Sequence, residues 1–314
     1  HHRNLSDVGI AALGLSLSLG IVTSALAQTG VNPAEEDVVA KQEIYSPYVA
    51  RTAHNNSFAE GVYWGDTHLH TSYSTDAGMI GNTLPPEAAY KFALGEEVVT
   101  SSGQRARLIR PLDFLVVADH AENLGLAPMI AEDNPDLLAT DNGKRLSDLV
   151  KAGEGYEAFT IWGTEGIATN TDIINNPKMT RTVWDRQIRS ADQYNDPGNF
   201  TAFIGFEWTS INTIDEPSNL HRVVVFKDDG SKASQVLPFS TFDSYDPEDL
   251  WQYMADYEDN TGGSVLAIPH NGNLYNGQMY ATERLNGRKI DKKYAETSMR
   301  WEPLYELTQI KGEV

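Results

Sequence analysis

Continuous runs of hydrophobic residues recur along the chain from residue 60 onwards, and they predict β-strands. The runs are short and rich in β-branched and aromatic side chains. Most of them lack polar–apolar alternation, which is typical of strands that are covered on both faces. The predicted strands are Val62–Trp64, Leu112–Ala118, Ala202–Phe206, Arg222–Phe226, Val265–Ile268 and Leu304–Leu307.

Helical patterns lie between several of these strands. One helix is expected to start at Pro85 and end near Gly95, and a second has a stripe of apolar residues over 184–191. A third has the clearest start signal, because Asp246 can cap its first turn and Pro247 fits the first helical position. Strands that alternate with helices predict a parallel α/β architecture.

The first 27 residues have the pattern of a secretory signal peptide. An apolar run over 8–26 ends in Ala25-Leu26-Ala27, a small–x–small cleavage site, before the chain turns polar. A single membrane anchor is the alternative, but Ser, Thr and Gly dilute the run. We therefore expect a bacterial Sec-type signal, a periplasmic or secreted mature protein, and no membrane anchor after cleavage.

The mature chain divides into a short lead-in and one long domain. Residues 28–59 are polar and predict an extended lead-in, whereas 60–314 carries all the predicted strands. Within the domain, 123–182 is long, polar and rich in Asn, Asp and Gly. This composition predicts an insertion that covers a site.

Composition narrows the classes of function. The 314 residues include 44 acidic and 24 basic side chains, a formal charge of −20, and no cysteine. The lack of cysteine excludes disulfides, thiolate zinc sites and a cysteine nucleophile. An isoelectric point near 4.7 argues against nucleic-acid binding through a basic face. Small anionic substrates stay open because a bound metal reverses the local field, and the oligomeric state is left open.

Histidines of the domain cluster at the ends of predicted strands. Four come at or directly after a strand end, Glu207 has the same position, and a fifth histidine precedes its strand. Because the carboxyl ends of the strands in a parallel barrel open onto one face, these side chains are expected to meet. Imidazole and carboxylate groups bind zinc, manganese or iron. The expected ligands are His68, His70, His120, Glu207, His221 and His270.

Several segments resemble the motifs of the polymerase and histidinol phosphatase (PHP) superfamily. In motif order they are 66–76 (Asp-Thr-His-Leu-His-Thr-Ser-Tyr-Ser-Thr-Asp), 119–120 (Asp-His), 205–207 (Gly-Phe-Glu) with His221, and 269–270 (Pro-His). The sequences of segments 112–125, 200–209 and 221–226 are more closely similar to a bacterial family known as domain of unknown function 3604. The resemblance spans about 60–314.

The PHP resemblance implies a fold and a ligand set. The implied fold is a distorted β/α barrel with seven strands, and the implied cofactors are two or three divalent metal ions. The implied ligands are His68 and His70 for the first ion, Glu207 as a bridge to a second ion with His221 and His270, and Asp76 with His120 for a third.

One motif of the superfamily is missing. PHP proteins carry an Asp-x-His pair near the last strand, but no histidine follows His270 in this sequence. The chain also stops at Val314, directly after a predicted strand. We therefore expect the barrel to be incomplete at the C-terminus and the natural protein to extend further. Without that extension, the first and third ions would each lack a ligand.

The expected chemistry is hydrolysis of a small phosphoester substrate. Close divalent ions activate a bound hydroxide, which is expected near Glu207, and hold the oxygens of a phosphoryl group. Arg222 is expected to bind a phosphate oxygen or, alternatively, to form a surface salt bridge. Asp119 is expected to orient a ligand or assist proton transfer. The same role is one alternative for Glu122, but the favoured interpretation is an exposed acid at a helix start.

Two other functions stay open at this point. An amidohydrolase-type enzyme would attack a C–N or C–O bond, although such barrels usually carry a lysine where this chain has Glu207. An exported metal- or carbohydrate-binding module without catalytic activity is the second alternative. The missing Asp-x-His pair is the best argument for it.

Overall fold

The computed structural model describes residues 62–212, 218–270, 272, 274, 276–309 and 312–313. The predicted signal peptide over 1–27 and the lead-in over 28–59 lie outside the described residues. Among the described ones, no helix is both long and apolar enough to cross a membrane.

Short strands alternate with helices along the described chain. The strands are β1 (Gly65–Leu69), β2 (Val98–Val99), β3 (Arg105–Ala106), β4 (Phe114–Val117), β5 (Thr201–Trp208), β6 (Ile211–Asn212), β7 (Ser218–Asn219), β8 (Arg222–Phe226), β9 (Val265–Pro269), β10 (Thr308–Gln309) and β11 (Gly312–Glu313). The helices are α1 (Thr75–Met79), α2 (Pro86–Ala93), α3 (Leu126–Ala131), α4 (Pro135–Leu138), α5 (Asp141–Lys151), α6 (Gly155–Ile161), α7 (Pro177–Tyr194), α8 (Gly230–Ala233), α9 (Pro247–Thr261) and α10 (Lys292–Trp301). A π-helical turn (Trp162–Gly166) and a 3₁₀ turn (Ile167–Thr169) follow α6.

A mixed five-stranded sheet forms the centre of this α/β fold. Its strand order is β1-β4-β5-β8-β9. The pairs β1–β4 and β4–β5 are parallel, as predicted, but β8 runs antiparallel to both β5 and β9. The prediction of a parallel sheet is therefore wrong for β8. The described parts of the connection, 209–212 and 218–221, pair with each other as the β6–β7 ribbon, which suits the return to an antiparallel neighbour.

The sheet is curled, and strands β4, β5, β8 and β9 are largely buried on both faces, as the continuous hydrophobic runs predict. Its inner row forms a small cluster of its own, made of Val116, Ala118, Val223, Val225 and Ile268. The outer row packs into a larger core with the helices, for example Phe206 and Phe226 against Trp184 of α7. The curl brings the two edge strands together, because the rings of His68 in β1 and His270 after β9 have centroids 4.1 Å apart.

Three predicted helices are found as α2, α7 and α9. The start of α9 has the predicted cap, since the Asp246 carboxylate accepts a hydrogen bond from the amide of Glu248 at 2.9 Å. The interval 123–182 is largely helical, from α3 to the start of α7. It packs its own apolar residues, such as Leu126, Met129 and Leu146, into the main core.

Two predicted strands are wrong. Residues 62–64 are exposed and precede β1, which instead spans the first half of the histidine motif. Residues 304–307 are irregular, because Pro303 follows the end of α10 and β10 begins only at Thr308. One ladder-like contact remains there, since the Glu306 amide donates to the carbonyl oxygen of Pro269 at 3.1 Å.

Gly205 lies in the middle of β5, where a larger residue does not fit. A Cβ atom there would lie 2.6 Å from Val116 Cγ1 and 2.7 Å from the carbonyl oxygen of Val224. We expect Gly205→Ala to lower the free energy of unfolding by about 1–3 kcal/mol, because both neighbouring strands must shift. Denaturant unfolding measures this. Gly163→Ala is the control, since a Cβ at Gly163 meets no atom within 4 Å, and equal losses in the two variants would contradict the prediction.

Candidate metal centre

The inner face of the sheet leads directly to the candidate ligands. Alternate residues of a strand point to the same face, so the inner row of β4 passes from Ala118 to His120, and that of β9 from Ile268 to His270. His120 still pairs with Glu207 through an isolated parallel bridge. These candidate ligands thus follow directly after the inner apolar cluster, at the carboxyl-terminal ends of β4 and β9.

His221 reaches the same edge because β8 is antiparallel. Its neighbour Arg222 pairs with Trp208 at the end of β5 and with Pro269 at the end of β9. A residue that precedes β8 therefore lies beside residues that follow β5 and β9. This geometry explains the one histidine whose position before its strand did not fit a parallel sheet.

A change of register positions His68 and His70 together. Between Asp66 and Leu69, the pairing of β1 with β4 shifts by one residue, and such bulges re-aim side chains. The Asp66 carboxylate caps this irregularity by accepting from the amide of His68 at 2.8 Å. The two imidazole rings are then 5.1 Å apart, centroid to centroid.

Glu207 is the centre of the cluster. It is fully buried, and its two carboxylate oxygens face different histidines. Around Oε1 lie His221 Nδ1 at 2.8 Å and His270 Nε2 at 2.7 Å. Around Oε2 lie His68 Nε2 at 3.2 Å, His70 Nε2 at 2.6 Å and His120 Nδ1 at 3.5 Å. One carboxylate thus stands between two groups of imidazoles, which is the position of a bridging ligand.

Asp76, at the start of α1, forms a further group with two of these histidines. Its oxygens lie 3.2 Å from His70 Nδ1 and 3.4 Å from His120 Nε2. The Ser74 hydroxyl donates to Asp76 at 2.6 Å and fixes the carboxylate. The structure therefore brings together all seven metal ligands that the sequence and the resemblance suggest.

The donor set fits divalent metal ions. Ligand atoms lie within 4.8 Å of one another in four groups: His68, His70 and Glu207; His68, His270 and Glu306; His70, Asp76 and His120; and Glu207, His221 and His270. His70 Nε2 and Glu207 Oε2 face each other at 2.6 Å, close enough for both atoms to contact one cation. Imidazole with carboxylate is a donor set for zinc, manganese or iron.

The electrostatics of the cluster centre on the Glu207 charge. Burial alone would raise the pKa of Glu207, but the surrounding histidines hold it well below its usual range. Burial lowers the pKa of His68 and His70, and the nearby Glu207 carboxylate outweighs it and raises them to about 9 and about 10. For His270 burial prevails and lowers the pKa to about 3. The cluster thus attracts positive charge, which protons or metal ions supply.

Glu306 is a member of the cluster that the sequence analysis missed. Its Oε2 lies 2.8 Å from His68 Nδ1, the ring nitrogen that faces away from Glu207. The residue sits in the irregular segment that was predicted as a strand, and it has no motif around it. The only signal in the sequence was an acid among apolar residues near the expected last strand.

Asp119 lies next to the cluster but outside it. It belongs to the outer row of β4, and its two oxygens accept from the amide and the hydroxyl of Thr71, at 2.5 and 2.7 Å. Burial raises the pKa of Asp119 to about 6. Its contacts with Thr71 fix the backbone directly after His70.

The interpretation of Glu122 as an exposed acid is wrong. Glu122 is fully buried, and its Oε1 accepts from the amides of Thr209 at 3.1 Å and Thr241 at 2.7 Å. Burial raises the pKa of this carboxyl. The Thr209 side chain in turn contacts His120 Nδ1. Glu122 therefore supports the residues behind the cluster, and the long-range contact with Thr241 gave no sequence signal.

Arg222 does not reach the cluster. As the residue after His221 it points to the outer face of β8, where its Nε donates to Glu302 Oε1 at 3.0 Å. Both side chains are almost entirely buried, and the guanidinium lies over the Trp208 ring at 5.7 Å. The structure thus gives the salt bridge that was the alternative to phosphate binding, but buried and not at the surface.

The 123–182 interval covers one side of the cluster. The Trp162 ring lies 6.0 Å from the His120 ring and is buried. Its Nε1 donates to the Asn123 side chain at 3.1 Å, and Asn123 donates to Asp172 at 2.7 Å. This network holds the Trp162 ring against His120.

Comparison with known proteins places the chain in a family. No curated protein and no solved structure matches the sequence significantly. The family model described as "Protein of unknown function (DUF3604)" matches residues 57–314, well over half of the chain. The cluster of histidines and carboxylates lies inside the matched region. The chain therefore belongs to the DUF3604 family.

Proposed function

We propose that this protein is a metal-dependent hydrolase, and specifically a phosphoesterase with a centre of two or three metal ions. The observation that carries the proposal is Glu207, whose two oxygens face two separate groups of imidazoles. Two divalent ions in such a centre lower the pKa of a bound water and hold the attacking and leaving oxygens of a phosphoryl group.

The chain's own residues support this use of the cluster. Glu207 and His270 are fully buried, so their ligand atoms are shielded from competing water. Asp119 and Thr209 hold the backbone or the ring behind two of the histidines, as outer partners of metal ligands do. Asp76 with His70 and His120 offers a third position.

We further infer that the curled sheet is part of the distorted β/α barrel that the PHP resemblance implies. The close approach of the two edge strands at His68 and His270 supports a barrel. An exported, periplasmic or secreted enzyme that releases phosphate from organic esters is the corresponding role. The amidohydrolase alternative is weaker, because a fully buried Glu207 occupies the place where that class carries a lysine.

A panel of chromogenic substrates tests the function. The metal-free protein is assayed with p-nitrophenyl phosphate, bis-p-nitrophenyl phosphate, p-nitrophenyl acetate and a p-nitroanilide, with and without Mn²⁺ or Zn²⁺. We expect metal-dependent release of nitrophenol from one or both phosphoesters. Turnover of the acetate or anilide alone would favour the amidohydrolase alternative. Tight metal binding without turnover of any substrate would favour a non-catalytic module.

A further inference from the structure

We propose that Glu306 orients His68 in the metal centre, and that the buried Arg222–Glu302 ion pair holds Glu306 in place. The inference rests on the proposed metal-dependent function and adds to it a positioning residue and its support. Neither Glu306 nor Glu302 belongs to any motif of the sequence.

The contact between Glu306 and His68 has the geometry of an orienting carboxylate. His68 Nε2 lies 3.2 Å from Glu207 Oε2, and His68 Nδ1 lies 2.8 Å from Glu306 Oε2. An imidazole that binds a metal through one nitrogen commonly donates its other N–H to a carboxylate, which fixes the tautomer and strengthens the ligand. Both side chains are mostly buried, with exposed fractions of 10% for His68 and 16% for Glu306.

The segment that carries Glu306 needs an external anchor. Helix α10 ends at Trp301, and Pro303 prevents it from continuing. Residues 302–307 form no regular structure, and the Glu306 amide makes one backbone contact, to Pro269. Side-chain contacts therefore position most of this segment, among them the Tyr305 ring against the Tyr280 ring, with centroids 5.3 Å apart.

Glu302 provides that anchor. Its Oε1 accepts from Arg222 Nε at 3.0 Å and from Trp251 Nε1 at 2.8 Å. The Arg222 and Glu302 side chains are only 2% and 4% exposed, so the pair is shielded from solvent. Arg222 is also the residue after His221. The ion pair therefore ties the start of the 302–307 segment to the strand that presents a ligand.

Metal titration of variants tests the inference. The purified protein is stripped with a chelator and titrated with Zn²⁺ and with Mn²⁺ against a chromophoric competitor, and thermal unfolding is recorded in parallel. We expect Glu306→Gln to weaken the binding of one ion by roughly 10- to 100-fold without loss of folding. Glu296→Gln is the matched control, because this residue of α10 is exposed and forms a surface ion pair with Lys292.

The role of the ion pair is tested by a thermodynamic cycle. Arg222→Met combined with Glu302→Gln removes both charges and keeps an acceptor for Trp251, which avoids an unpaired buried charge. We expect this double variant to weaken the binding of the same ion by a similar factor. Adding Glu306→Gln to it is expected to cause no further loss, because both changes act through one contact. If the double variant does not fold, Trp251→Phe, which removes one hydrogen bond to Glu302, takes its place.

The results of these titrations distinguish a failure of the Glu306 inference from a failure of the proposed function. Unchanged affinity for every ion in Glu306→Gln would overturn the inference and leave the proposed function standing. Losses that multiply when the changes are combined would show that the ion pair does not act through Glu306. If the unchanged protein binds neither Zn²⁺ nor Mn²⁺, this inference and the proposed function fall together.

Discussion

Replacement of Glu207 by glutamine is expected to remove at least two metal ions and to lower hydrolytic activity about a thousandfold or more. This loss corresponds to about 4 kcal/mol of transition-state stabilisation. The physical reason is that one carboxylate oxygen faces two histidines and the other faces three, so the negative charge of this single residue serves both groups of imidazoles and glutamine does not replace it. Metal content by elemental analysis and the phosphoester assay measure the two effects.

Folding should survive this substitution better than activity does. The Glu207 charge is the largest of the causes that raise the pKa of His68 and His70, so in Glu207→Gln both pKa values fall and the cluster holds less positive charge. Glu165→Gln is the control, since Glu165 pairs with Arg145 on the surface. Full metal content in Glu207→Gln, or a collapse of thermal stability with unchanged activity per folded molecule, would contradict the assignment.

Metal-free protein is expected to gain stability when a fitting ion is added. At a free concentration one hundred times the dissociation constant, each bound ion adds about 2.7 kcal/mol to the free energy of unfolding. For a domain of this size that corresponds to a rise in Tm on the order of 5 °C per ion. The gain follows from mass action, because the candidate ligands around the buried Glu207 are brought together only in the folded chain.

Differential scanning calorimetry with Zn²⁺, Mn²⁺ and Fe²⁺ measures the shift. Ca²⁺ is the control, because it prefers oxygen ligands and suits an imidazole-rich centre poorly. Glu207→Gln in the same experiment should lose most of the shift. No rise in Tm with any of the three transition metals would contradict a metal centre at this position.

The sequence was sufficient for the parts of the molecule that follow local rules. Continuous apolar runs located four strands of the sheet, β4, β5, β8 and β9, and Asp246 with Pro247 located the start of α9. The position of the histidines at the ends of predicted strands was enough to predict that their side chains cluster. Alternation along β8 would also have shown that His221 and Arg222 face opposite sides of the sheet.

The remaining features depend on contacts between distant segments. The direction of β8 follows from its pairing with β5 and β9, which no local pattern specifies. From the sequence alone Glu122 resembles an exposed acid, because the amide that donates to it belongs to Thr241, 119 residues away. Glu306 has no motif, and its place beside His68 depends on the tertiary contact between 302–307 and β9.

The distance along the chain between His68 and Glu306 has a consequence for biogenesis. These two residues are 238 positions apart, and the sheet order places the first and last of its strands at opposite edges. A nascent polypeptide therefore cannot complete this site until its residue 306 has left the ribosome. On the proposed function, metal binding at the complete site would thus be a late maturation step, separated in time from the synthesis of His68 and His70.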